Sequence, residues 1–179
     1  SPYMKQDEEL VHFHNALWAS SLSGLSGTAL FWWWEQLDMQ DAYRHYRPLA
    51  SFVADIPFTT AELRQISATV SHQQARVLGL QGKDRAYAWL FNTRAIWANQ
   101  VIEKLIPTEI EGIILNIEGL APGVYQVQWW DTYKGEIIKE ETSKSEQILE
   151  IPVPAFARDI ACEVIKRDGH ERSTHKKIE

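Results

Sequence analysis

The chain has 179 residues, 45% of them hydrophobic and 23% charged, with a formal net charge of −6 and a sequence pI near 5.5. That balance supports a packed globular core, and an acidic chain without a basic stripe argues against a nucleic-acid partner. No apolar run reaches the roughly 18 residues of a membrane span, so no membrane partner is expected, and the lone Cys162 excludes an internal disulfide or a cysteine-rich metal site.

Ser1-Pro2-Tyr3-Met4-Lys5 carries no signal-peptide pattern, and a helix signal follows almost at once. The opening therefore reads as that of a fragment or a processed product, and neither a cytoplasmic nor a secreted location is marked. Asp7-Glu8-Glu9 supplies a cap and first-turn acids for the first helix. Leu10, Phe13 and Leu17 form one apolar stripe, and Val11, His14, Trp18, Leu22 and Leu25 another, so this helix is expected to pack on two sides. Gly24 and Gly27 end it. His12 and His14 fall on different helix faces, which argues against a metal pair.

Gly27-Thr28-Ala29-Leu30 then leads into Phe31-Trp32-Trp33-Trp34-Glu35. As a strand over 27–34, this run would put Trp32 and Trp34 on one face, and Phe31 and Trp33 on the other. Apolar residues on both faces read as a parallel strand buried between layers. Aromatics ending in a carboxylate also read as the rim of a sugar-binding cleft. Asp38 and Asp41 read as helix-start residues for a helix through Tyr43, Tyr46, Leu49, Phe52 and Val53, kinked or restarted near Pro48. Residues 1–56 thus read helix, strand, helix, and Ile56-Pro57-Phe58 closes the unit.

The pattern then changes to short strands over 63–70, 75–80, 85–91, 110–117, 124–130, 136–140, 147–151 and 160–166. Turn signals sit at 81–84, at Ala121-Pro122-Gly123, and at Asp131–Gly135, where a hairpin loop should end in a left-handed glycine. Eight such strands over 63–167 predict an antiparallel β-sandwich. Residues 94–104 read as a helix or as a strand with a loop. Residues 168–179 read as a polar, frayed tail. One of Trp129 and Trp130 should be core and the other an interface or a sugar platform, while Trp89 and Trp97 suit the core or its seam.

Three stretches carry a family resemblance: His14-Asn15-Ala16-Leu17-Trp18-Ala19-Ser20, then Gly24–Ala29, then Trp32-Trp33-Trp34-Glu35. Together they resemble the end of a (β/α)8-barrel retaining glycoside hydrolase of the cellulase- and mannanase-like superfamily, whose last strand is written G-T-A-x-x-W-W-W-[DE]. The hairpin from Gly123 to Gly135 is similar to one in the small sandwich that follows such barrels. The resemblance implies a mixed fold: a helix–strand–helix end of a TIM barrel, then the antiparallel sandwich. It makes residues 1–25 the seventh barrel helix, 27–34 the eighth strand and 42–55 the eighth helix.

Active sites of such barrels lie at the C-terminal ends of the strands. The resemblance therefore implies substrate-binding roles for Trp32, Trp33, Trp34, Glu35 and His14, with an indole stacked on the apolar face of a pyranose. Glu35 is equally compatible with a sugar contact and with a solvated carboxylate near a loop, and His14 suits a polar contact inside the barrel better than chemistry. Retaining glycosidases use two carboxyl groups about 5–5.5 Å apart. In the superfamily these end the fourth and seventh strands, and no residue here matches either position. No catalytic residue, metal or cofactor is carried over.

The expected function is that of the C-terminal part of a glycosidase acting on β-linked glucan, mannan or related oligosaccharides, itself inactive. The alternative is a non-catalytic sandwich that binds carbohydrate or braces the barrel. A lone helix–strand–helix cannot bury the tryptophan strand, so the expected partners are an oligosaccharide or polysaccharide and either a missing N-terminal barrel portion or a second copy of the chain.

Overall fold

The computed structural model describes residues 6–25, 27–32 and 34–167. The tail expected at 168–179, and Trp33, lie outside the described residues. Three helices come first: α1 (Val11–Leu22), α2 (Trp34–Met39) and α3 (Tyr43–Val53). α1 begins at Val11 with no acid in its first turn, so Glu8 and Glu9 precede the helix instead of opening it, but Asp7 still caps it from a distance. Its two carboxylate oxygens accept the backbone N–H groups of Val11 at 2.9 Å and His12 at 3.1 Å, satisfying donors that the helix itself leaves open.

The strands are β1 (Arg64–Gln65), β2 (Ala68–Val70), β3 (Ala75–Gln81), β4 (Arg85–Asn92), β5 (Ile114–Glu118), β6 (Gly123–Asp131), β7 (Glu136–Ser145), β8 (Ile148–Pro152) and β9 (Asp159–Lys166). All pair antiparallel, in a six-stranded sheet of order β1-β3-β4-β9-β6-β7 and a three-stranded sheet of order β2-β5-β8. The chain is thus mostly antiparallel sheet with few helices. The stretch expected as one strand over 63–70 divides at a corner, β1 joining one sheet and β2 the other. Gln81, wholly buried, holds that corner: its Oε1 accepts from the Ser67 N–H at 2.6 Å, and its Nε2 donates to the Glu118 carbonyl at 2.9 Å. Residues 98–102 form a single π-helical turn within the β4–β5 connection, and Ile110 makes only an isolated bridge to Phe156.

Period-two alternation sorts the side chains of the large sheet into two cores. Ala86, Ala88 and Leu90 of β4, Ile160, Cys162 and Val164 of β9, and Tyr125, Val127 and Trp129 of β6 fill the space between the sheets. Tyr87 and Trp89 of β4 and Ala161 of β9 face the opposite way, into a second apolar cluster with Leu17, Trp18, Leu49 and Phe52 of the helices. By the same alternation Trp130, paired with Ala161 of β9, faces the helices as well, and its ring meets Phe52 edge-on at 5.7 Å. The molecule therefore has three layers: small sheet, large sheet, helices.

Among the described residues, the strand expected over 27–34 is not formed. Residues 27–32 are irregular and Trp34 opens α2. A strand needs a neighbour to satisfy its backbone N–H and C=O groups. The edges of the large sheet are β1 and β7, and neither pairs with this segment. Local preference decides instead, and Trp34-Glu35-Gln36-Leu37-Asp38-Met39 closes into a helical turn and a half.

Candidate functional site

The helices meet the sandwich at a buried polar node. His14 reaches from α1, His45 from α3, Asp159 from the start of β9, and Thr132 and Tyr133 from the β6–β7 loop. The His14 ring is fully buried, and its Nε2 lies 3.1 Å from Asp159 Oδ1. The same carboxylate oxygen accepts from Trp89 Nε1 at 3.0 Å and, in a short bond, from Thr132 Oγ1. An ionised carboxylate can only accept, so His14 Nε2 carries the proton toward Asp159. Its other nitrogen, Nδ1, stands 3.2 Å from Nδ1 of His45.

Tyr133 stacks on the His14 ring with centroids 4.0 Å apart and planes 7° from parallel. The Arg158 guanidinium lies 5.5 Å from the centroid of the same tyrosine and pairs with Glu9, ahead of α1. The loop that supplies Thr132 and Tyr133 is locally determined. Asp131 Oδ1 accepts the N–H groups of Tyr133 and Lys134, the Gly135 N–H donates to the Asp131 carbonyl, and Gly135 is left-handed with φ 72°.

Burial alone would push the Asp159 carboxyl up, but His14, Thr132 and Trp89 together outweigh it and hold the group below its ordinary range. Burial is also the main force on His45, joined by the neighbouring His14 and Arg44, and its pKa falls to about 4. Burial and the Asp159 charge push Tyr133 up. The node thus carries one anion, a histidine bound to it, and a second histidine kept neutral. The Asp159 side chain is 1% exposed and its Oδ1 takes three hydrogen bonds, so Asp159 acts as a clamp between the elements that supply the donors.

The aromatic segment lies elsewhere. Trp32 is 86% exposed and Trp34 69% exposed, and Glu35 is exposed in the first turn of α2. Phe31 turns inward and meets Phe13 edge-on at 4.7 Å. Beside it, Leu10, Phe13, Phe31, Leu37 and Trp97 line an apolar cavity of about 210 Å³ with Asp7 and His12 at its margin. Three of the expected site residues, Trp32, Trp34 and Glu35, thus come together on one exposed segment. Trp33 lies outside the described residues, and His14 is withdrawn into the seam with both nitrogens engaged.

The sequence did not single out Asp159, Thr132, Tyr133 or His45 for this role. A charged residue at the head of an otherwise apolar alternating strand, Asp159-Ile160-Ala161-Cys162, was the available signal for the first. Glu163, further along β9, is 8% exposed, and burial together with the nearby Asp55 raises its carboxyl to about 7. Among the described residues, no three His, Cys, Asp or Glu side chains are placed to hold a metal ion, and no helix is long and apolar enough to cross a membrane.

No family model matches the chain, and no curated protein matches it. Among solved structures, one described as a glycoside hydrolase is similar over 80% of this chain, with 13% identity and a TM-score of 0.45. A glycoside hydrolase family 5 protein from Bacteroides vulgatus is similar over 79%, with 12% identity and a TM-score of 0.45. Alpha-L-fucosidase isoenzyme 2 from Paenibacillus thiaminolyticus is similar over 56%, with 9% identity and a TM-score of 0.37. This chain spans 29%, 28% and 15% of their respective lengths.

Proposed function

We propose that this chain forms the sandwich-braced end of a retaining glycoside hydrolase acting on β-linked glucan, mannan or a related oligosaccharide. In this reading the segment from Phe31 to Glu35 borders the sugar cleft. The observation that carries it is the exposure of Trp32 and Trp34 next to Glu35, on a helical layer fixed to the sandwich by the His14–Asp159 contact. Exposed indoles are costly to leave in water and suit the C–H face of a pyranose, with the Glu35 carboxylate able to accept from a hydroxyl. Hydrolysis by double displacement would use two carboxyl groups supplied by residues outside these 179.

For the sandwich, bracing is favoured over sugar binding. Trp89 and Trp130 point into the helical layer, which leaves no row of exposed aromatics on that face of the large sheet among the described residues. A brace gives these tryptophans their partners and gives the buried polar node its purpose.

Titration with cello- and manno-oligosaccharides, followed by tryptophan fluorescence, tests the reading. Saturable binding lost in Trp32→Ala and Trp34→Ala supports it, and binding unchanged in both variants overturns it. The chain alone should give no turnover of chromogenic aryl β-glycosides, and true turnover would refute its dependence on outside carboxylates.

A further inference from the structure

We propose that the cleft between the α3–β1 connection and the β3–β4 turn binds a small molecule bearing an oxyanion, held by Arg64 and Lys83. The cleft has a volume of about 610 Å³ and is bordered by Thr60 and Glu62 on one side, the turn Gly82-Lys83-Asp84-Arg85 on another, and Gly119 at its end. That size lies within the roughly 300–1,000 Å³ of small-molecule sites. It is separate from the tryptophan segment and does not depend on the glycosidase reading.

The charges in this cleft are unequal in a telling way. Asp84 and Arg85 satisfy each other, with Arg85 Nε 2.8 Å from Asp84 Oδ1. Arg64 and Lys83 enter no ion pair among the described residues and face only one remaining carboxylate, Glu62. The cleft therefore keeps a net positive charge in a molecule whose overall charge is −6. A guanidinium presents a planar fork matched to two oxygens of a carboxylate, sulfate or phosphate, and an ammonium beside it adds a point charge.

The frame behind these cations is rigid. Arg64 pairs in register with Gln81, the buried side chain that holds the corner between the sheets. The tip of its guanidinium lies against Gly119, where an added Cβ would come within 3.2 Å of Nη2. The turn carrying Lys83 is closed by the Gly82 N–H on the Arg85 carbonyl at 3.0 Å. It is tied to two other loops by the Ala121 N–H on the Lys83 carbonyl at 2.8 Å and the Lys166 N–H on the Asp84 carbonyl at 2.9 Å. Cations held on an ordered frame lose less freedom on binding than cations on a mobile loop.

Calorimetric titration of the whole chain with sodium glucuronate, inorganic phosphate and neutral glucose tests the site. Saturable binding of an anion, weakened by added salt and reduced by about tenfold or more in Arg64→Gln and in Lys83→Gln, is expected. Arg64→Lys should fall between wild type and Arg64→Gln, because it keeps the charge and loses the fork. Glucuronate binding above phosphate assigns the oxyanion to an acidic saccharide, and the reverse order assigns it to a free phosphate. Both side chains are exposed, so circular dichroism should show each variant folded. No saturable binding of either anion, glucose binding as tightly as glucuronate, or undiminished binding in the double variant would overturn the proposal.

Discussion

His14 and His45 face each other across the helix–sandwich seam with their Nδ1 atoms 3.2 Å apart, and only one of the two can carry the proton between them. Asp159 stands on the far side of His14, its Oδ1 3.1 Å from Nε2. His45, burdened by burial, His14 and Arg44, is the one kept neutral, although the Glu9 carbonyl and Asp159 pull slightly the other way.

This arrangement sets a pH dependence. His45 has its pKa lowered from 6.5 to about 4 in the folded chain. Between those values the unfolded chain binds a proton that the folded chain refuses, so stability falls as the pH drops from 6.5 to about 4. Glu163 works in the opposite sense over much of this window, so the difference between wild type and His45→Gln carries the prediction. The urea-unfolding midpoint of the wild type should fall relative to that of His45→Gln as the pH drops from 6.5 to about 4, because the variant has nothing to protonate there. A constant difference between the two across that range would remove His45 as a source of pH dependence.

The clamp should be strongly sensitive to its anion. Asp159→Ala leaves His14, Trp89 and Thr132 without their shared acceptor, and breaking a buried pair on one side costs about 3–5 kcal/mol. Thr132→Val removes one donor and should cost only about 1–2 kcal/mol. Chemical denaturation of the two variants measures both, and similar losses would show that the three donors do not converge on one carboxylate in solution.

Much of this architecture was legible in the sequence because it is local. The alternation in β4, β6 and β9 follows from residues two apart, and the turn from Asp131 to Gly135 carries its own hydrogen-bonding side chain. The first helix is announced by Asp7, whose carboxylate caps it although the helix begins only at Val11. What escaped was non-local. His14 and Asp159 are 145 positions apart, and nothing near either one names the other. The corner at Ile66–Ser67 is hidden because alternation continues through it while the strand changes sheets. The tryptophan run misled for the same reason: its apolar pattern suits a strand, but strand formation depends on an edge partner that the described residues do not provide. The exposed tryptophans there are still the residues picked out at the start, now on a loop and a helix end.

Glu163 should make the chain less stable as the pH rises, the opposite sense to His45. Its carboxyl is raised from 4.5 to about 7 by burial and by Asp55, so between those values the folded chain keeps a proton that the unfolded chain releases. Stability from this group is full below pH 4.5 and is lost as the pH climbs through 7. Glu163→Gln, which imitates the protonated acid, should raise the thermal midpoint at pH 8 and leave it nearly unchanged at pH 4.5. A variant no more stable at pH 8 would count against it.

The hairpin loop is the mechanical contact between sandwich and helices, and two glycines separate its contributions. Gly135 is left-handed at φ 72°, and a Cβ built on it would stand 2.7 Å from Pro48 Cα of α3. Gly112 has nearly the same backbone, φ 68°, with nothing within 4 Å. Gly112→Ala should therefore report backbone strain alone, about 1–2 kcal/mol. Gly135→Ala adds a collision with main-chain atoms that cannot rotate away, so the loop must lift from α3 and take Thr132 and Tyr133 out of the polar node. It should destabilise clearly more than Gly112→Ala, and it should also increase amide hydrogen exchange in α1 and α3, which strain in a turn by itself would not do. Equal losses in the two variants, with helical exchange unchanged, would mean that the loop rests on the helices without holding them.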